Sequence, residues 1–300
     1  MPINMNQSNS KLALGTVQFG LPYGIANQQG QVNTVEARKI LEFAIRSGID
    51  TIDTAIGYGN SEQCLGTIGV QNLNVVTKVP PLPNLINDVQ SWVDTQFHDS
   101  LKRLNISKLY ALLLHRPIDL IGRHGQALYR ALLDLKEQGL VEKIGVSVYS
   151  PDELRILMPL FSIDIVQGPL NVIDRRLENS GWLGKLKDQD IEIHTRSAFL
   201  QGLLLMSKTA RPEKFSTWKP LWNNWHNHVD SSGVDFEKFA LSTSLSYPLS
   251  LSEVDRVLVG IDSCNQLESI IIASQQTNIE IPDVCCNDER LVNPANWANL

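Results

Sequence analysis

No run of apolar residues in this 300-residue chain approaches the ~20 that a membrane-spanning helix needs. The first ten residues, MPINMNQSNS, are polar and have no apolar run of the kind a secretory leader carries. Basic residues are not in excess either: 26 Lys and Arg stand against 32 Asp and Glu, a net charge of −6 that offers no general attraction to nucleic acid or an anionic membrane. The four cysteines, Cys64, Cys264, Cys285 and Cys286, form no CxxC pair, and the vicinal two are poorly placed to bridge each other. No GxGxxG follows a strand-like segment, so the glycine fingerprint of a dinucleotide-binding fold is missing. These absences predict a cytoplasmic protein in a reducing compartment, a monomer or weak homo-oligomer whose partners are small molecules.

What is present is enough for a large core, 43% apolar residues, arranged in an alternation of short β-rich runs and helical periods. Eight runs read as strands: Leu12 to Thr16, Thr51 to Thr54, Val75 to Lys78, Leu109 to His115, Lys143 to Ser147, Ile165 to Gly168, Ile191 to Ser197 and Val257 to Gly260. Helices are expected between them. Val35 to Ser47 carries Ala37, Ile40, Leu41, Ala44 and Ile45 on one stripe, Ile86 to Leu104 and Gln126 to Gln138 read similarly, and Gly48 and Gly139 stop two of the three. Ser150 followed by Pro151 reads as a cap opening a helix through Met158. Eight β/α pairs predict an α/β protein, a (β/α)8 TIM barrel in a single domain, with its core over about residues 12–275. Two regions break the rhythm. Residues 206–234, after the seventh strand, hold Trp218, Trp222 and Trp225 in a polar, proline-punctuated insertion, read either as a lid over substrate or as an anchor pinned to the barrel. About residues 277–300, with Pro282 and Pro294, form a polar tail that either wraps the barrel or frays.

Four polar residues fall where such a barrel opens to solvent, the edge at which barrel enzymes do chemistry: Asp53 and Tyr58 after strand two, Lys78 ending VVTK, and His115 ending YALLLH. They suit reduction of a carbonyl. Hydride delivery leaves negative charge on oxygen, and Tyr58 can protonate it if a neighbouring ammonium, Lys78, brings the phenol down toward the working range. Asp53 would hold Lys78, and His115 would donate to the same oxygen.

The segments LGTVQFG, DTAIGYGNSE, VVTK, LLLHRP and KIGVS, in that order, resemble the successive signatures of the aldo-keto reductase superfamily over roughly residues 12–275. The resemblance implies an NAD(P)-dependent oxidoreductase in which Asp53, Tyr58, Lys78 and His115 are catalytic and no metal takes part. It also implies a cofactor lying extended across the barrel mouth. Gly15, Thr16 and Asp53 would border it, Ser147 and Gln167 would hold the nicotinamide carboxamide, and Arg196, Ser197, Phe199, Gln201 and Gly202 would follow the ring and pyrophosphate. Gly260, Asp262, Ser263 and Gln266 would grip the adenosine end, where a helix start is also a sound phosphate site.

Three positions depart from the family pattern. Val148 stands where an Asn often follows the serine of GVS, and Arg196 stands where an aromatic residue often stacks on nicotinamide. A guanidinium there opposes the oxidised, cationic ring more than the reduced one, which favours reduction. Gly260 to Gln266 lacks the Lys or Arg that would pair with a 2′-phosphate and includes Asp262, so NADP(H) is favoured on family habit alone and NAD(H) competes. Two other activity classes compete: a cofactor-binding sensor or scaffold with little turnover, motivated by Val148 and Arg196, and a metal-dependent hydrolase, disfavoured because the strands offer at most one histidine each. His226 and His228 read as solvated loop residues, Lys102 and Arg103 as an exposed helix face, and Gly15, Gly20, Pro22 and Gly24 as turn residues.

Overall fold

The computed structural model describes residues 11–276 and 279–300; the polar amino-terminal stretch and Thr277, where the tail is expected to begin, lie outside them. Eight parallel strands close into a barrel: β1 (Leu12–Gly15), β2 (Thr51–Asp53), β3 (Asn74–Val79), β4 (Leu109–Leu114), β5 (Val141–Ser147), β6 (Ile165–Pro169), β7 (Glu192–Arg196) and β8 (Arg256–Gly260), with β8 pairing back onto β1. The (β/α)8 expectation and all eight strand positions hold. Helices α1 (Thr34–Arg46), α2 (Ser61–Ile68), α3 (Val89–Leu104), α4 (Gly125–Glu137), α5 (Pro151–Leu157), α6 (Arg176–Asn179), α7 (Trp182–Lys187), α8 (Lys219–Ser231), α9 (Phe236–Ser250), α10 (Cys264–Ser274) and α11 (Glu289–Val292) complete it. None of these helices is long and apolar enough to cross a membrane.

Local chemistry explains most boundaries. The Asn33 side chain accepts from Glu36 N at 3.0 Å to open α1, and Gly48, at φ 84°, ends it. Asp88 caps α3, which is why that helix starts at Val89 and not at Ile86. Ser150 and Glu153 form a capping box with Pro151 in the first turn of α5.

Strand side chains alternate between the helices and the barrel lumen. Leu12, Leu14, Ile52, Val75, Leu112, Leu114 and Val166 join the large core under the helices, while Val76, Ala111, Leu113 and Ile165 make a separate small cluster. Counting two residues onward from that lumen cluster reaches Lys78, His115 and Gln167, which therefore surface together at the open end. At the closed end Glu192 accepts from Tyr110 Oη at 2.6 Å, from Lys143 and from His194 Nε2 at 2.6 Å, plugging the lumen with a polar cluster.

The region from 206 to 234 differs from the irregular loop expected. A 3-10 turn, Glu213–Trp218, leads into α8, whose Trp222, Trp225, His226 and Val229 are buried. Trp222 Nε1 donates to Phe215 O and Trp225 Nε1 to Leu204 O, each at 3.0 Å, so of the two roles considered the indoles serve as anchors. His226 is likewise no solvated residue: Arg211 donates to its Nε2 at 2.8 Å and its ring stacks on Phe236 at 4.9 Å. Nor is Arg103 an idle surface charge, since its Nε donates to buried Glu62 at 2.8 Å while Lys102 stays exposed. The tail wraps. Cys286 N donates to Ile173 O at 2.9 Å, Trp218 Nε1 to Asp288 at 3.2 Å, and Trp297 is buried against Phe215.

Candidate active site

A cleft of about 810 Å³ opens at the carboxyl ends of the strands. Its reacting end rests on one buried ion pair: Lys78 Nζ lies 2.6 Å from Asp53 Oδ1 and donates also to Thr54 O at 2.9 Å, with both side chains almost wholly excluded from solvent. Gln167 Nε2 donates to the other Asp53 oxygen at 2.8 Å, and Ser147 Oγ donates to Gln167 Oε1 at 3.2 Å. A carboxylate with both oxygens engaged holds the ammonium in one place.

Tyr58 stands over this pair. Lys78 Nζ is 5.2 Å from the centre of its ring, and the His115 ring meets it edge-on at 5.7 Å. Tyr58, His115 and Asp53 line the cleft, whereas Lys78 is buried behind them. The turn carrying Tyr58 is set by α2, where Ser61 Oγ donates to Thr16 O at 2.8 Å and Glu62 accepts from Thr77, Ser100 and Arg103. Gly20 packs on that turn so closely that a Cβ would come within 1.8 Å of Tyr58 O, which explains a glycine there.

Burial, with the Asp53 carboxylate as second cause, pushes the Tyr58 phenol far above its ordinary range, and Arg196 draws it partly back. In the resting site, burial and then Asp53 outweigh the lowering of this phenol expected from Lys78. Burial lowers Lys78 itself against the pull of Asp53. Burial and then the Lys78 charge bring His115 down to about 4, leaving a neutral imidazole at pH 7.

Of the other residues implied by the resemblance, Gly15, Thr16, Ser147, Gln167, Arg196, Ser197, Phe199, Gln201, Gly202, Gly260, Asp262 and Gln266 line the same cleft. Ser263 does not: its Oγ accepts from Gln266 N and caps α10. Val148 also faces elsewhere, into the core, with its carbonyl accepting from Arg196 Nη2 at 3.0 Å. Sequence reasoning missed Gln18, Tyr23, Asn27 and Tyr149 on the walls, together with Leu205, Met206 and Leu241. Their only signal was proximity to PYG, GVS and the insertion.

The cleft suits an extended, hydrogen-bonding, anionic ligand. Ser197, Leu200, Gln201 and Gly202 have φ between 47° and 88°, left-handed backbone in a turn closed by Leu200 N donating to Ser197 O and Gly202 N to Phe199 O, each at 2.9 Å. Asn265 and Gln266 in the first turn of α10 line the cleft too, as does Gln18, whose buried Oε1 has no partner among the described residues. Asn27 Nδ2 donates to Asp262 at 3.1 Å, and Gln201 Nε2 to Tyr23 Oη at 3.0 Å, linking the loop after β1 to those after β8 and β7. Among the described residues no three His, Cys, Asp or Glu side chains gather as a metal site would require.

Comparison with known proteins follows the same line. A sequence model of the aldo/keto reductase family matches residues 11–284. The chain is 31% identical over 219 residues to the NADH-specific methylglyoxal reductase of Escherichia coli, covering 65% of each protein. It is 25% identical over 207 residues to the aldo-keto reductase YhdN of Bacillus subtilis, covering 65% of this chain and 60% of that one. The matched stretch thus spans less than two thirds of the length of either relative. The solved structure of aldo-keto reductase AKR11C1 from Bacillus halodurans, in its holo form, superposes with a TM-score of 0.70 at 21% identity over 90% of this chain and 88% of that one, a likeness of fold.

Proposed function

Because this chain belongs to the aldo/keto reductase family, we propose that it reduces an aldehyde or ketone to an alcohol with a nicotinamide cofactor, Tyr58 giving the proton. The observation that carries the reading is the convergence of Tyr58 and His115 in the cleft over the buried Lys78–Asp53 pair. When bound, the reduced nicotinamide supplies the hydride. As charge grows on the carbonyl oxygen, the Tyr58 phenol, kept protonated by burial, has a proton to give, and neutral His115 has one N–H to donate to the same atom. Lys78 lies behind the phenol ring, where it stabilises the phenolate left by proton transfer, and Asp53 and Thr54 O keep it there.

Ser147 and Gln167 would hold the carboxamide, and the left-handed stretch from Ser197 to Gly202 the pyrophosphate. On the wall of Gln18, Asn27, Asp262, Asn265 and Gln266 there is no lysine or arginine, and Asp262 is engaged with Asn27. A 2′-phosphate would find no cation there, so NADH is expected to bind more tightly than NADPH, against the habit on which the sequence reading favoured NADP(H).

The purified protein should oxidise NADH in the presence of methylglyoxal and other small carbonyl compounds. Tyr58→Phe should lose about 100- to 10,000-fold in kcat while cofactor binding, followed by tryptophan quenching, is kept. Retained turnover in that variant removes Tyr58 from the role, and tight cofactor binding without turnover of any carbonyl would favour a sensor.

A further inference from the structure

Arg196 ends β7 and lines the cleft beside Tyr58, His115 and Tyr149. Its guanidinium is held without a carboxylate: it stacks on Tyr149 at 4.4 Å, donates from Nη2 to Val148 O at 3.0 Å and from Nη1 to Ser197 Oγ at 3.4 Å. Of the three carboxylates among the described residues that line the cleft, Asp53 is bound to Lys78 and Gln167, Asp262 accepts from Asn27, and Glu237 is exposed on α9 and forms no ion pair with Arg196. At the reacting end, Lys78 and Asp53 cancel and His115 is neutral, so Arg196 leaves one positive charge in a recessed site. Its charge reaches Tyr58, His115 and Lys78, drawing the pKa of each down. A fork of five N–H donors with two of them used is suited to grip a planar oxyanion.

Resting on the reductase reading, we infer that the carbonyl substrate carries a carboxylate close to its reacting carbon, and that Arg196 binds this carboxylate while Tyr58 and His115 meet the carbonyl oxygen. The Tyr149 stack and the Val148 carbonyl hold the guanidinium in place before substrate arrives, so little side-chain freedom is lost on binding. A neutral reduced nicotinamide ring and a monoanionic substrate leave this end of the cleft without net charge, which a neutral aldehyde would not.

The test pairs substrates that differ by the carboxylate, succinic semialdehyde against butanal and pyruvate against diacetyl, and compares the wild type with Arg196→Gln and Arg196→Lys. In the wild type kcat/KM should favour the acids by about 10- to 100-fold, through KM. In Arg196→Gln the ratio of acid to neutral substrate should fall to within about twofold of one, and Arg196→Lys should restore part of it. Reading a ratio within each protein cancels any common loss. Calorimetric titration of succinate into cofactor-free protein gives a second readout: binding by the wild type should weaken about tenfold or more in Arg196→Gln, with the melting temperature checked for each variant. An unchanged substrate ratio overturns the inference, as does a tenfold loss of NADH affinity with the ratio intact, which would assign Arg196 to the cofactor. If the wild type turns over no carbonyl compound, the reductase reading fails by itself and the succinate titration still decides: equal binding by wild type and Arg196→Gln overturns the carboxylate site.

Discussion

Lys78 is among the largest side chains completely removed from solvent, and the residues around it show how much a single charge depends on its partner. Placing an ammonium and a carboxylate in the lumen is costly unless each is answered, and here Asp53 receives Lys78 on one oxygen and Gln167 on the other. Lys78→Met removes the cation and strands the carboxylate. Stability should drop by about 3–5 kcal/mol, read as a lower urea midpoint with an unchanged slope, and Lys78→Met with Asp53→Asn should recover much of it. A single variant as stable as the parent would mean that the pair is not buried as described. The identity of these residues was readable from VVTK and DTAIGYGNSE, because charged groups closing apolar strands have few structural uses. The direction of the Tyr58 shift was not, since it depends on how deeply the phenol is covered and on which ion stands nearest.

At the scale of elements, strands and the better helices were legible because caps, stop glycines and apolar stripes act locally. α8 was overlooked although its signal was present: Trp222, Trp225, His226 and Val229 recur at the spacing of one helix face, and Pro220 sits in the first turn where proline is tolerated. The polar residues between them, Asn223, Asn224 and Asn227, masked the stripe. Because Trp225 is fully buried and hydrogen-bonded to Leu204 O, Trp225→Ala should cost about 3–5 kcal/mol in chemical denaturation and change KM little at temperatures where it stays folded. A stable variant with an altered KM would restore the lid interpretation.

Across the whole molecule, two histidines on different elements share one electrostatic fate. His115 at the barrel mouth and His226 in α8 are both lowered to about 4, chiefly by burial. In the unfolded chain each titrates near 6.5, so below that pH the unfolded state binds protons that the folded state refuses. Stability is therefore complete above about pH 6.5 and is lost progressively as pH falls toward 4, by a few kcal/mol for the two together. Urea midpoints measured across that range should decline, and His226→Gln should flatten the decline. A midpoint that is constant between pH 6.5 and 4 would show that neither imidazole is held neutral.

The chain's order of motifs, its strand and helix periods and its capping residues are properties of near neighbours, and from them the eight-stranded barrel and the four polar residues at its mouth could be read directly. Closure of the sheet decided the rest: that Arg196 lies against Tyr149 without an acidic partner, that Asn27 reaches Asp262, and that Gln167 takes the second oxygen of Asp53. Those contacts join residues more than twenty positions apart, and burial and charge act through space, so no local pattern in the chain could carry them.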